Sequence, residues 1–143
     1  MAEDILISLE ARHVKNILKG TKTVELRRRR LDLADGARVW MYSKVPRGCV
    51  EALGIVEKAV EQHPRRIWRE YGKLSGLTLQ EFNRYLGDLS VGHVIVFREI
   101  RHLKPTLGLE ALRKRLGRFQ PPQFFKRLAA DSRELTIFRS ALN

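Results

Sequence analysis

The sequence predicts an α+β fold, a small mixed β-barrel of about five to six strands with flanking helices and a helical insert. Two observations support this. Short strand-like segments are separated by turn residues, and amphipathic helical segments lie between and after them. The chain has 143 residues, 43% of them hydrophobic, so it can bury a core without disulfides or metal. We expect a single domain over residues 1–143, with a barrel core at about 4–104 and a helical C-terminal extension at about 105–143.

The first two predicted elements are a strand and a helix. Residues 5–9 form a short apolar run that is typical of a strand. Ala11, Val14 and Leu18 then recur at helical spacing. Gly20 follows this pattern and predicts the end of the helix.

Four more strands complete the predicted barrel. Val24 and Leu26 alternate with polar residues, which predicts a strand directly after the first helix. The other predicted strands lie at residues 37–42, 50–60 and 91–100. Gly54 predicts a bulge or a bend within its strand. The last strand is almost continuously apolar, so we expect it to be central in the sheet.

The helical insert precedes this last strand, and more helix follows it. Pro64 suits the first turn of one helix, and the spacing of Thr78 and Glu81 predicts a capping box at the start of another. The chain after the last strand again has helical periodicity. Asp131 and Glu134 have the spacing of a further capping box there.

The composition favours a polyanionic partner and argues against a disulfide-rich secreted domain and a membrane-spanning protein. Lysine and arginine number 28 against 16 acidic residues, a formal net charge of +12, which favours binding to nucleic acid. Cys49 is the single cysteine, so a disulfide-rich secreted domain is excluded and Cys49 is expected to be a small buried apolar residue. No apolar stretch is long enough to cross a bilayer and no signal peptide is predicted. We therefore expect a cytoplasmic protein that does not bind a membrane.

Metal and cofactor sites are not predicted. The four histidines do not pair with each other or with Cys49 at the spacing of metal ligands. There is also no glycine-rich phosphate loop and no nucleophile elbow. We expect neither a metal nor a cofactor.

The most informative segment is the octet from Gly20 to Arg27, which continues into three more arginines. Lys22 lies at the predicted corner between helix and strand, and Glu25 and Arg27 share one face of the strand. A lysine can contact a phosphate or transfer a proton, and an arginine can hold a phosphate in a bidentate manner. Glu25 could orient these cations, accept a hydrogen bond from a base or act as a general base. A structural salt bridge is the simpler alternative for Glu25.

The octet resembles the signature of the ASCH family, which belongs to the PUA-like β-barrel superfamily. The signature is a helix followed by G-x-K-x-x-E-x-R entering a strand, and it is matched here by Gly20, Lys22, Glu25 and Arg27. The resemblance covers about residues 4–104. It implies a PUA-like barrel with a cleft beside it, lined by the octet, that accepts RNA or a ligand resembling a nucleobase.

The resemblance also implies a choice of activities. Family members include RNA-binding proteins, ribonucleases and a branch of amidohydrolases that act on acylated cytidine. In that branch the same lysine is paired with a threonine at the position of Glu25 and with a glutamate at the position of Ser75. Lys22 is therefore kept in this chain, while both of its partners differ.

Several residues are candidates for nucleic-acid binding. Tyr42 could stack on a base, and the loop that follows is expected to face the same cleft. The full set is Lys22, Glu25, Arg27, Arg28, Arg29, Arg30, Tyr42, Ser43, Lys44 and Arg47. Further arginines on the insert, including Arg84, could extend the basic rim, and Gln123 could fold back near the cleft.

Three functions follow from these residues. The first is a nucleic-acid-binding module that prefers RNA or single strands, with DNA as the alternative partner. The second is a metal-independent ribonuclease in which Lys22 and Glu25 transfer protons and Arg27 stabilises charge on the phosphorane. The third is a hydrolase or a sensor of a modified nucleoside. A closed pocket would favour the third function, whereas an open groove would favour a polymer.

Overall fold

One mixed β-sheet organises the fold. A computed structural model describes residues 2–142 of the chain. Within this range the strands are β1 (Asp4–Leu9), β2 (Val24–Arg27), β3 (Arg38–Ser43), β4 (Cys49–Gln62), β5 (Gly92–Gly108) and β6 (Phe125–Leu128). The helices are α1 (Ala11–Lys19), α2 (Pro64–Tyr71), α3 (Leu79–Leu86), α4 (Leu109–Leu116) and α5 (Arg133–Ser140), with a 3-10 turn at Gly72–Leu74.

The strand order is β2-β5-β4-β3-β1-β6. β1 and β3 are parallel, and every other pair of neighbouring strands is antiparallel. The sheet forms a half-barrel with helices packed around it, so the predicted α+β, barrel-like fold with flanking helices and a helical insert is confirmed.

Three apolar clusters hold the helices against the sheet. The first contains Val14 and Ile17 of α1, and the second contains Phe138 of α5. The third joins Val24 and Leu26 of β2 to the α2–α3 insert. Burial of one face of β2 in this third cluster positions its other face, which carries Glu25 and Arg27.

Several residues adopt the local structures that the sequence predicts for them. Gly20 follows α1 with φ of 86°, a conformation that glycine adopts at little cost. Pro64 is the first residue of α2. Thr78 and Glu81 form a reciprocal capping box at the start of α3, as their spacing predicts.

The C-terminal part differs from the predicted helical pattern. β5 continues to Gly108, and β6 pairs with β1 as an additional strand. The predicted capping box at Asp131 is wrong by one residue, because the Ser132 side chain accepts the hydrogen bond from the Leu135 backbone amide, at 3.2 Å.

Gly54 is not at a register shift of β4. It is needed for space, since a Cβ there would lie 2.7 Å from the Phe97 ring.

Candidate functional site

The end of α1 and the start of β2 bring Lys22, Glu25 and Arg27 together. The Nζ atom of Lys22 lies 3.5 Å from Oε1 of Glu25. Nη1 of Arg27 lies 3.4 Å from Oε2 of the same carboxylate. All three side chains line one cavity of about 400 Å³. Glu25 therefore connects two cations at the floor of a cleft.

Lys22 is the most deeply buried of the three residues. Only 2% of its surface is exposed, and its ammonium donates a hydrogen bond to the backbone carbonyl of Ser75, with an N···O distance of 2.5 Å. Burial lowers the pKa of Lys22, and the nearby Glu25 carboxylate partly opposes this effect. The ammonium therefore gives up a proton more readily than that of a free lysine.

The turn between the 3-10 segment and α3 creates the space for Lys22. Gly76 has φ of +73°, and a Cβ at this position would lie 3.2 Å from Cδ of Lys22. The Ser75 hydroxyl donates to the Gly72 carbonyl and accepts from the Leu77 amide, at 2.7 and 3.2 Å. Ser75 thus contacts Lys22 through its backbone carbonyl, while its side chain stabilises the turn.

The cavity around Lys22 has walls from several elements. We call it the inner cleft. Its walls include Ser8 of β1, Arg12 and His13 of α1, Lys44 of the β3–β4 loop, and Tyr85 of α3. His13 Nδ1 is buried and has no hydrogen-bond partner within residues 2–142. Burial, followed by the positive charge of Lys22, lowers the pKa of His13.

A second cavity of about 590 Å³ adjoins the first, and we call it the outer cleft. The two share Ser8, Arg27, Lys44 and Tyr85, so they form one continuous groove. The other residues of the outer cleft are Arg28, Arg29, Arg30, Leu31, Leu89, Gln123, Phe124 and Phe125. The Gln123 position beside the cleft agrees with the sequence-based expectation for this residue.

The arginine run is not uniformly available to a ligand. Arg28 pairs with Asp88 at 2.7 Å, and Arg30 pairs with Asp32 at 2.6 Å. Arg29 has no carboxylate within ion-pair distance in the described part of the chain, and its guanidinium lies 5.4 Å from the centre of the Phe124 ring. Arg29 is therefore the member of the run that keeps its charge free.

The residues that end β3 are placed differently from the octet. Tyr42 is 4% exposed and packs in the second apolar cluster, so it offers no free ring face. Ser43 is fully buried and donates a hydrogen bond to Glu51 at 2.5 Å. Arg47 also bonds to Glu51, at 3.1 Å, and lines a separate cavity beside α1. Of the predicted loop residues, Lys44 is the one that reaches the cleft.

Among the described residues, the cleft has no metal-ligand cluster beside it. Residues 2–142 contain no group of three or more His, Cys, Asp or Glu side chains that could hold a metal ion. None of the helices in this range is long and apolar enough to span a bilayer. Cys49 is buried, as its sequence context predicts.

A curated relative has the same kind of domain. This chain is 31% identical over 121 residues to a protein of Zymomonas mobilis named ASCH domain-containing ribonuclease, and the match covers 85% of this chain and 81% of the relative. The chain belongs to the ASCH domain family. No protein-family model matches it.

Solved ASCH structures have the same fold. The crystal structure of ASCH from Zymomonas mobilis has a TM-score of 0.85 and 29% identity, covering 97% of this chain and 94% of that one. A serine-to-alanine mutant of the same protein has a TM-score of 0.84 and 28% identity over 94% of each chain. A tyrosine-to-phenylalanine mutant has a TM-score of 0.85 and 27% identity, covering 94% of this chain and 96% of that one.

Several residues of the inner and outer clefts were not predicted from the sequence as site residues. Ser8, Arg12, His13 and Tyr85 belong to elements whose existence was predicted, but their periodicity does not indicate which face lies beside the octet. Phe124 follows a pair of prolines within the region that was predicted as a helical extension. The sequence signal that could have indicated Phe124 as a site residue is a pair of adjacent aromatic residues next to basic ones.

Proposed function

We propose that this chain is a single ASCH domain that binds RNA in the cleft formed by its inner and outer parts. The observation that carries the proposal is the placement of Lys22, Glu25 and Arg27 at the floor of an open groove. Lys44, Arg84 and Arg29 line this groove and have no ion-pair partner within residues 2–142. Their positive charge attracts phosphates, and the net charge of +12 adds a longer-range attraction.

The shape of the cleft favours a polymer over a single nucleoside. The inner and outer cavities, of about 400 and 590 Å³, are joined through shared walls. A strand of RNA can follow such a groove, with successive phosphates near its basic side chains. The Ser75 hydroxyl is engaged in its own turn, so it does not offer Lys22 the side-chain partner expected for amide hydrolysis.

We further propose that the bound RNA is cleaved in the inner cleft. The Zymomonas relative is named a ribonuclease, which supports this activity. In the proposed step the Glu25 carboxylate accepts the proton of a ribose 2′-hydroxyl, whose oxygen attacks the adjacent phosphorus. The bond from phosphorus to the 5′-oxygen breaks, and this oxygen receives a proton from Lys22. Arg27 stabilises the negative charge on the phosphorane oxygens.

RNA binding is tested with two lysine variants that lose the same charge. Lys44 lines both cavities, whereas Lys114 is exposed on α4 and lines neither. We expect Lys44→Gln to weaken binding of a labelled single-stranded RNA and Lys114→Gln to leave it nearly unchanged. Fluorescence anisotropy at several salt concentrations measures both, and affinity should fall steeply as salt rises.

Two results would contradict the binding proposal. One is the absence of saturable RNA binding at low salt. The other is an equal loss in the two lysine variants, which would indicate attraction by net charge without a specific cleft. Tighter binding of a DNA strand with the same sequence would make DNA the preferred partner and overturn the assignment to RNA.

Cleavage is tested by replacing the carboxylate with its isosteric amide. Glu25→Gln keeps the shape of the side chain but removes the proposed base, so we expect the cleavage rate of a defined RNA to fall by about 10²- to 10⁴-fold. RNA binding by this variant should persist. Cleavage at the parental rate would exclude Glu25 from the reaction, and the same cleavage in Lys22→Met would indicate a contaminating nuclease.

A further inference from the structure

Two adjacent phenylalanines leave their rings exposed at the outer cleft. Phe124 is 52% exposed and Phe125 is 40% exposed, although most large apolar side chains of the chain are buried. Isolated exposed apolar residues are common on protein surfaces and do not by themselves indicate a site. Here both rings line the same cavity as the arginine run. Their position within a basic groove is what requires an explanation.

The backbone beside Phe124 is held in place from two sides. Nη2 of Arg27 donates a hydrogen bond to the Phe124 carbonyl, at 3.2 Å. The Ser8 hydroxyl donates to the carbonyl of Pro122, at 2.6 Å. Phe125 begins β6 and is paired with Ile7 of β1. The ring of Phe124 is therefore presented by an ordered segment, so little conformational entropy would be lost when a ligand packs against it.

Charge and aromatic surface occur together at this position. The Arg29 guanidinium lies 5.4 Å from the centre of the Phe124 ring, within the range of a cation–π contact. Arg29 has no carboxylate partner in residues 2–142, whereas both neighbouring arginines have one. A ligand that places a flat ring on Phe124 and an anion near Arg29 would satisfy both groups. A nucleotide has these two parts, a base and a phosphate.

We propose that Phe124 is the platform on which an unpaired RNA base stacks at the outer end of the cleft, with Arg29 contacting the adjacent phosphate. This inference rests on the proposed RNA-binding function and specifies its substrate as single-stranded. In a duplex the faces of every base except those at the two ends are covered by neighbouring bases, so Phe124 cannot stack on the internal bases. Stacking on an aromatic side chain is tolerant of base identity, since every base has a flat face. The Phe124 platform therefore favours single strands over duplexes and does not distinguish one base sequence from another.

The test compares two apolar side chains at position 124, one without and one with a flat aromatic ring. Phe124→Leu keeps an apolar side chain without a flat surface, and Phe124→Trp keeps a flat aromatic one. We expect Phe124→Leu to weaken binding of a single strand of about 12 nucleotides by about 5- to 100-fold. Phe124→Trp should bind about as well as the parent protein. Its added tryptophan should also be quenched by RNA, in excess of any quenching from Trp40 and Trp68 in the parent protein.

A duplex of the same sequence and a control variant complete the design. Phe124→Leu should change the affinity for the duplex by less than about 2-fold, since none of its internal bases can stack on the ring. Val91→Ala removes exposed apolar surface that lines neither cavity and should change neither affinity. Thermal unfolding of each variant checks that the fold is retained.

The outcomes distinguish this inference from the proposed function. If Phe124→Leu binds the single strand as tightly as the parent while Lys44→Gln binds it weakly, the platform is disproved and the RNA-binding cleft stands. Equal losses for the single strand and the duplex would also disprove stacking. If the parent protein binds no RNA, the proposed function fails and the inference fails with it.

Discussion

At the scale of a single residue, burial of the Lys22 ammonium in the site lowers the stability of the protein. A buried ammonium loses most of its hydration, and here it regains one carbonyl and one carboxylate as partners. Glu25 is also buried and contacts Arg27 on its other side. A buried lysine whose pKa is lowered by burial, as that of Lys22 is, is typical of functional sites.

His13 leads to a prediction about pH at the same scale. Its pKa is lowered by burial and then by Lys22, so below the ordinary histidine pKa of about 6.5 the unfolded chain binds a proton more readily than the folded chain. The free energy of unfolding should therefore decrease as the pH falls through this range. We expect His13→Asn to lose less stability than the parent between about pH 7.5 and pH 5.

Urea unfolding at the two pH values measures this difference. His102→Asn is the matched control, because His102 is exposed, and it should behave as the parent protein does. Carboxylates that titrate in the same range are common to all three proteins and cancel in the comparison. The same loss of stability in parent and His13→Asn would contradict the prediction.

At the scale of an element, α3 forms one wall of the inner cleft and its start is defined by its cap. The Thr78 amide donates to the Glu81 carboxylate, and the Glu81 amide donates to the Thr78 hydroxyl, at 2.9 and 3.1 Å. Arg12 of α1 also pairs with Glu81, at 2.7 Å. The Thr78 amide and then Arg12 lower the pKa of Glu81 to about 2. The cap thus connects the insert to α1 across the cleft.

Removal of the cap should loosen this wall. We expect Thr78→Ala to reduce the free energy of unfolding by about 1 kcal/mol, because the Glu81 amide at the start of α3 loses its acceptor. Thr78→Ser keeps a hydroxyl and should remain close to the parent. Urea unfolding at neutral pH measures both variants. A loss in Thr78→Ser as large as that in Thr78→Ala would show that the hydroxyl is not the stabilising group.

At the scale of the whole molecule, the C-terminal segment completes both the core and the cleft. β6 adds to the sheet beside β1, and Phe138 of α5 packs 5.5 Å from Trp40, measured between ring centres. The same segment carries Phe124 to the outer cleft. Periodicity alone indicated a helical extension, and the structure makes this region part of the sheet and of its second apolar cluster.

Replacement of two phenylalanines of this segment by alanine should change the free energy of unfolding to different extents. Phe138 is fully buried, so Phe138→Ala should reduce the free energy of unfolding by about 3–5 kcal/mol through lost burial and the cavity that remains. Phe124→Ala removes an exposed ring and should change stability by less than about 0.5 kcal/mol. Urea unfolding of both variants tests this contrast. Similar stabilities for the two would mean that α5 does not contribute to the core.

The features that depend on neighbours along the chain could be predicted from the sequence. The end of α1 at Gly20, the cap of α3 and the shared face of Glu25 and Arg27 all follow from spacings of a few residues, because helix and strand periods are set by the local backbone. The same spacing identified the octet and, through it, the ASCH family. The positive charge followed from composition alone.

The distant groups that contact the octet could not be predicted from the sequence, because they come together through packing of the whole chain. The Lys22 ammonium bonds to a carbonyl 53 residues away, and Arg27 bonds to one 97 residues away. Sheet pairing and the packing of apolar faces bring these segments together, and no short-range pattern encodes such contacts. The same packing buries Tyr42 and brings Phe124 to the groove. A side chain's type is given by the sequence, but its exposure depends on what packs over it.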